Sequence, residues 1–380
     1  MTYIILILIT VPLAYLWQKK EESGIDKTVF LKDYAIKIKS DIYAMAAFLP
    51  VFLIYALQCS VHSDYDNYQI MYSMVSVGRH AVRDPAVYSI FRIFTLLGLP
   101  FQSVYVFIYF VAFVILGRCI KDYSTDYALS LSMFITIFFM LGFYYIRQLV
   151  AVMIVLYAYR YIRSGKFIRY FILILIASAF HTSALVMIPG YFLLHYRFTT
   201  SFYITAGSLF AILNALKETV LTWIVATFIP KYFGRHEMFR SFAFGLYDTI
   251  WILFLIFVTL FFVFGLKRIS GIKTEELQAR YEGVFLGGLA FYFILYFFGR
   301  WILEFERFGT YFYIPVIVLY PHMLYVISEA QGGKLMGFKE LGAQRIRVLL
   351  KLISYMILIA VFYFNYHADA VWNYRSIFSY

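Results

Sequence analysis

The chain has 380 residues, 63% of them hydrophobic and only 14% charged, with a mean hydropathy of +0.77. A soluble domain carries about 25% charged residues because its surface must be wetted, so a soluble globular enzyme and a disordered chain are excluded, as is an outer-membrane barrel with its alternating strands. The net charge of +12 would point to nucleic acid in a soluble protein; in a membrane protein it is first a topology signal, because Lys and Arg are retained on the cytoplasmic side.

Apolar segments fall at 3–17, 42–57, 99–116, 127–142, 148–162, 167–180, 183–194, 202–216, 250–266, 284–298, 308–327 and 348–364. They predict an all-α polytopic membrane protein, one domain over 1–380 with about 12 transmembrane segments. The count falls to 10 where neighbouring segments pair as re-entrant halves, as six and seven can, being separated only by His181 and Thr182. Several segments are shorter than the roughly 20 residues of a straight span, and flanking Tyr and Trp extend them into the interface. The first, 3–17, lacks a basic leader and a small-residue cleavage site and reads as a retained span. With the N-terminus outside, 22 of the 33 Lys and Arg lie in cytoplasmic loops and 11 outside, which fits retention of cations inside. Cys59 and Cys119 then fall on opposite sides and do not pair. Two external stretches are long, 58–98 and 217–249; within the first, 85–97 reads as a short amphipathic helix around Arg92, suited to lie on the membrane surface.

Ionisable groups near membrane depth are costly, so each is a candidate site, and four clusters share the outer face in this topology. The first is His62-Ser63-Asp64-Tyr65-Asp66-Asn67-Tyr68. Asp64 and Asp66 suit a metal, or sugar hydroxyls with the rings stacked on pyranose faces, and equally suit capping of the helix that follows. Arg79, His80 and Arg83 come next, as solvated charges or phosphate ligands. The second cluster is Tyr144-Tyr145-Ile146-Arg147-Gln148, opening an apolar helix. A buried guanidinium needs an anion, and its planar fork matches phosphate oxygens; snorkelling to the headgroups is the structural alternative.

The third is Ala179-Phe180-His181-Thr182-Ser183, at the same depth and side as Arg147. An imidazole titrating near neutrality can deprotonate a hydroxyl, although a lone histidine on an apolar face is more often a packed, hydrogen-bonded residue. The fourth, 299–311, holds Arg300, Glu304, Glu306 and Arg307 beside a hydrophobic segment. Arg300 and Glu304 are helical i,i+4 partners, so the group is either a structural ion-pair cluster or a second cationic ligand for the same anion. The sequence has no phosphate-binding glycine loop, no HExxH, no nucleophile elbow and no zinc spacing. No metal, nucleotide or other cofactor is expected.

The order of these features resembles the EpsG-like and Wzy-like polysaccharide polymerases. The elements are Arg147 opening an apolar helix, a basic turn with Lys166 and Arg169, the Phe180-His181-Thr182-Ser183 step, and Pro189. Asp64-Tyr65-Asp66-Asn67-Tyr68 resembles that family's D-Y-x-x-Y element, and Glu306-Arg307-Phe308-Gly309-Thr310-Tyr311-Phe312 its late E-R-x-x-x-Y-F element. The stretch 198–283 and the Arg300–Glu304 pair match nothing in that pattern.

The resemblance implies a GT-C-like helical bundle in the bacterial cytoplasmic membrane, active at its periplasmic or extracellular face. It would join undecaprenyl-diphosphate-linked oligosaccharide repeats into a surface polysaccharide such as O-antigen, capsule or exopolysaccharide. Its partners would be the lipid-linked glycan donor and acceptor and membrane lipid, with room for a chain-length regulator protein and none for nucleic acid. Arg147, Arg307 and Arg300 would hold the diphosphate, and Tyr68, Tyr145, Glu304, Glu306 and Tyr311 the glycan. His181 is the first choice of base, with Asp64 or Asp66 second. Two other functions remain open. A flippase for the same glycans would need ionisable groups near the midplane and usually an internal repeat, which the sequence does not display. A membrane O-acyltransferase acting on surface polysaccharide would use His181 as its base. A lipid-linked glycan ligase is not separable from a polymerase by these residues.

Overall fold

The computed structural model of the chain describes residues 9–16, 18–19, 47–61, 63–195, 303–329 and 343–366, with isolated positions between them. The segment at 202–216, most of 217–249, 250–266 and 284–298, and Arg300 fall outside the described residues. Every element among the described residues is helical, as the composition predicts.

Helix α1 (Leu49–Ala56) opens at Pro50, where the missing N–H would have had no helical partner in any case. The first external stretch holds two helices, α2 (Ser63–Ser76) and α3 (Pro85–Leu96), the second at the place expected for the amphipathic segment. Helix α3 buries Val87 and Phe91 and leaves Ile93 and Leu96 exposed, and the Tyr72 hydroxyl of α2 donates to the Leu99 carbonyl at 2.7 Å. Helix α4 (Phe101–Tyr123) has 23 residues and is long and apolar enough to cross a membrane. No other helix among the described residues meets that test, although Pro85–Leu96, Tyr127–Ile137, Phe167–Phe180 and Thr182–Leu194 are apolar and shorter.

Two continuous apolar runs of the sequence are each broken into two helices. The run at 127–142 divides at Phe138 into α5 (Tyr127–Ile137) and α6 (Phe139–Tyr144). Close approach shapes α6: a Cβ at Gly142 would overlap the Tyr55 ring, and the Gly142 carbonyl accepts from the Tyr109 hydroxyl at 2.8 Å. The late run 308–327 is divided between α10 (Leu303–Tyr313) and α11 (Val316–Glu329). Pro315 lies at that break, having no N–H to continue the ladder.

Three consecutive helices set the geometry of the site. Helix α7 (Ile146–Arg163) stops in a Schellman turn, with the Lys166 N–H on the Tyr161 carbonyl at 3.0 Å and Gly165 at φ +66°. A left-handed φ there carries no penalty for glycine. Helix α8 (Phe167–Phe180) then packs back along α7. At 1.5 Å per residue the chain climbs about 24 Å from Arg147 to Arg163 and returns about 21 Å from Phe167 to His181, so the end of α8 comes back near the level of Arg147. At His181 the backbone turns extended, and a 3-10 turn (Thr182–Val186) leads into α9 (Met187–His195). Helix α9 folds back on α8, with the Tyr170 hydroxyl on the Met187 carbonyl at 2.7 Å and Phe167 packed on Tyr191 and Phe192. Segments six and seven are thus the limbs of an antiparallel helical hairpin bent at His181. Helix α12 (Ala343–Tyr366) packs on α5 and α11.

Candidate functional site

Three elements meet where α8 ends. Gln148, fully buried in the first turn of α7, donates from Nε2 to the Arg307 carbonyl of α10 at 2.7 Å. The Tyr159 hydroxyl, three turns further along α7, donates to the Tyr311 carbonyl at 3.0 Å. These two bonds clamp α10 against α7 and set Arg307 beside the His181 bend. His181, Thr182, Ser183, Leu185, Val186, Arg307 and Phe308 line a cavity of about 460 Å³ there. Its walls are largely apolar, and the imidazole and the guanidinium give it polarity.

The two guanidiniums differ in their surroundings. Arg147 is tied down: Nε donates to the Tyr68 hydroxyl at 2.7 Å, and Nη1 donates to the carboxylate of Asp84, with which it forms an ion pair. Arg307 lies 5.1 Å from the centroid of the Tyr145 ring, a cation–π contact. Its Nε is buried with no hydrogen-bond partner, and no carboxylate pairs with it among the described residues. Leaving such a donor unsatisfied costs roughly 1–3 kcal/mol, more when it is charged.

His181 has its Nδ1 2.8 Å from the Ser183 hydroxyl, which in turn lies 2.8 Å from the hydroxyl of the buried Tyr311. Burial, then the positive charges of Arg147 and Arg307, hold the imidazole pKa down to about 4, against an opposing pull from Asp84. The ring is therefore neutral at physiological pH. Burial raises the Tyr68 phenol against the pull of Arg147, so it stays protonated.

The remaining residues expected from sequence lie around this centre. Asp64 and Asp66 lie inside the first turn of α2 and not at the N-cap that the capping alternative gave them; negative charge there favours the helix dipole. Asp66 is exposed and accepts from the Ser60 hydroxyl at 2.6 Å. Asp64 is half-buried, one turn before Tyr68. Neither carboxylate lines the cavity. The rings of Tyr68 and Tyr311 are buried against protein, so neither offers a free face to a sugar; Tyr145 is half-buried beneath Arg307. Glu304 and Glu306 belong to the start of α10, and their side chains, like Arg300 and His62, are outside the described set.

Three residues have roles that reading the sequence missed. Asp84 is the buried counter-charge of Arg147, and its signal was the Asp84-Pro85 step into an amphipathic helix. Gln148 and Ser183 stood within quoted motifs, but their work depends on contacts with α10 that no local pattern encodes. Among the described residues, no group of three His, Cys, Asp or Glu side chains could hold a metal ion.

The profile of the EpsG family matches residues 41–380, all but the first 40 of the chain. The chain belongs to the EpsG family, a family of membrane proteins. No curated protein and no solved structure matches it.

Proposed function

We propose that this EpsG-family chain is a membrane glycosyltransferase that polymerises oligosaccharide repeats carried on undecaprenyl diphosphate, at the outer face of the bacterial cytoplasmic membrane. The single observation that carries this reading is Arg307: a cation with a buried, unsatisfied Nε, facing His181 across an apolar-walled cavity of about 460 Å³. A protein tolerates such a group where an anion arrives to complete it. A lipid diphosphate brings two phosphates at headgroup depth together with an apolar tail. The likeness of Arg147, His181 and the late Glu306-Arg307 element to polysaccharide polymerases supports the same class.

In this reaction the acceptor sugar oxygen attacks the anomeric carbon of the donor, and the carbon–oxygen bond to the diphosphate breaks with its electron pair. The acceptor hydroxyl loses its proton to a base at this end of the bundle, with His181, Asp64 and Asp66 as the candidates. Arg307 meets the charge developing on the leaving diphosphate. Arg147, already neutralised by Asp84, does not line the cavity, and its part is to add positive potential beside it. A fixed donor aimed at developing charge in a dry site is worth about 10²–10³ in rate. Because the donor sugar is already activated, the mechanism runs without nucleotide. A helical bundle of the GT-C type with 10–12 spans, and a positive-inside orientation, would set this cavity outside.

The test is elongation by the purified protein in detergent, with lipid-linked repeats as both donor and acceptor. Growth of the glycan by whole repeats supports the enzyme. A protein that binds the lipid-linked repeat without extending it would be a carrier, since no bilayer is present to cross.

A further inference from the structure

We propose that Ser183 and Tyr311 are positioning residues that hold the His181 imidazole with its proton on Nε2, so that His181 meets the anion in the cavity as a hydrogen-bond donor and not as a base. The inference rests on the reading of the cavity as a diphosphate site, and it takes His181 out of the candidate bases.

The directions of the hydrogen bonds follow from one another. His181, at φ −154° and ψ 114°, caps the 3-10 turn with its own ring: the Ser183 backbone N–H points at Nδ1 from 3.3 Å. A backbone N–H can only donate, so Nδ1 carries a lone pair. The Ser183 hydroxyl, 2.8 Å from the same nitrogen, must then donate to it. A serine hydroxyl has one proton, so the contact of 2.8 Å with Tyr311 is donated by the phenol. The chain therefore runs from the Tyr311 O–H to the Ser183 oxygen and from the Ser183 O–H to Nδ1. Nothing in it can be reversed without setting a proton against the Ser183 N–H.

A neutral imidazole with an occupied Nδ1 lone pair bears its proton on Nε2. That nitrogen makes no hydrogen bond to the described residues, and His181 lines the cavity with Arg307. The charged and titratable groups around the ring are Arg147 at the start of α7, Arg307 and Tyr311 on α10, and Asp84 ahead of α3. Two cations against one carboxylate favour the neutral ring. To act as a base, Nε2 would first have to lose its proton and Nδ1 gain one, at the expense of the cap and the Ser183 bond.

As a donor, Nε2–H and Arg307 converge on the same leaving oxygen. When the sugar–diphosphate bond breaks, the electron pair stays on that oxygen, and Nε2–H stabilises it with no proton transferred. The proton of the acceptor hydroxyl then passes to a base beyond the cavity wall, a role left to Asp64 or Asp66, neither of which lines the cavity.

Nitrogen NMR on protein carrying ¹⁵N-histidine in lipid nanodiscs decides the tautomer, and the signal of His181 among the seven histidines is assigned by its loss in His181→Gln. The expected result at pH 7 is an unprotonated Nδ1 and a protonated Nε2, with the Nδ1 signal displaced in Ser183→Ala. A protonated Nδ1 overturns the proposal. Elongation supplies the second readout. Removing a general base costs about 10²–10⁴-fold, whereas glutamine carries an N–H near the Nε2 position and should lose far less than His181→Ala. Equal loss in both variants, with an imidazole-type acid limb in the wild-type rate, also overturns it. If the wild-type protein elongates nothing, the diphosphate reading fails on its own, and the NMR result still stands or falls separately.

Discussion

The cations gathered near the two ends of α7 differ in how they are paired. Around Arg160, about 20 Å from Arg147 along the helix, the cations that are not fully exposed are paired. Arg118 and Arg160 share Asp122 at 3.0 and 3.1 Å, and Arg160 also lies 3.6 Å from the Tyr157 ring centroid. At the same end Lys351 of α12 pairs with buried Asp126, which caps α5 by accepting from the Leu129 N–H at 3.0 Å. At the other end Asp84 answers Arg147, and Arg307 has no carboxylate among the described residues. Paired charges are explained as structure; a half-buried guanidinium whose buried Nε has no partner among the described residues is open to a ligand. That difference is what singles out the Arg307 end of the bundle for the proposed site.

The largest expected effect breaks that asymmetry directly. Arg307→Ala should lower glycan elongation by about 10²-fold or more, the cost of deleting one electrostatic donor, while the melting temperature in detergent stays level or rises, because an unsatisfied buried donor has been removed. Arg160→Ala, at the paired end, should leave elongation per folded molecule unchanged. Equal loss of activity in the two variants would mean that the lack of a partner at Arg307 says nothing about function.

A smaller effect compares the two buried ion pairs. Removing one partner of a fully buried pair costs about 3–5 kcal/mol. The Arg147 and Lys351 side chains keep 29% and 21% of their exposure, so about 2 kcal/mol is expected for Asp84→Asn and for Asp126→Asn alike. Chemical or thermal unfolding in detergent measures both. Activity should separate them: Asp84→Asn lets Arg147 drift from its place and elongation falls, whereas Asp126→Asn keeps the cap, since asparagine caps as well as aspartate, and elongation per folded molecule holds.

How far these features were legible in the sequence follows from their range. The turn at Gly165 and the helix lengths on either side dictate that Arg147 and His181 return to one level, and those are local properties. The hairpin bend at His181 and the amphipathic helix after Pro85 were legible for the same reason. Breaks at Phe138 and near Pro315 were hidden by hydropathy, which registers apolarity and not the hydrogen-bond ladder. The pairing of Asp84 with Arg147 joins positions 63 residues apart, and that of Gln148 with Arg307 joins positions 159 apart. Contacts at such range leave no periodicity to read. A single conclusion unites the cases: residue types were visible, and their partners were not.

The smallest effect sharpens the comparison through pH. His181 has an ordinary pKa of 6.5 in the unfolded chain and about 4 in the fold, because burial and the cations of Arg147 and Arg307 oppose its protonation. Between those two values the unfolded chain binds a proton that the folded chain refuses, so stability falls as pH drops from about 6.5 towards 4 and is unaffected above that window. His181→Gln removes this component, and its melting temperature should decline less than that of the wild type over the same interval. Other carboxylates titrate in both proteins, so the difference between the two curves isolates the imidazole. Arg307→Ala should narrow that difference, because taking away one cation lets the folded ring accept its proton more readily. A curve for Arg307→Ala that keeps the full wild-type slope would separate the guanidinium from the imidazole electrostatically, and with it the shared cavity on which the comparison of the two ends depends.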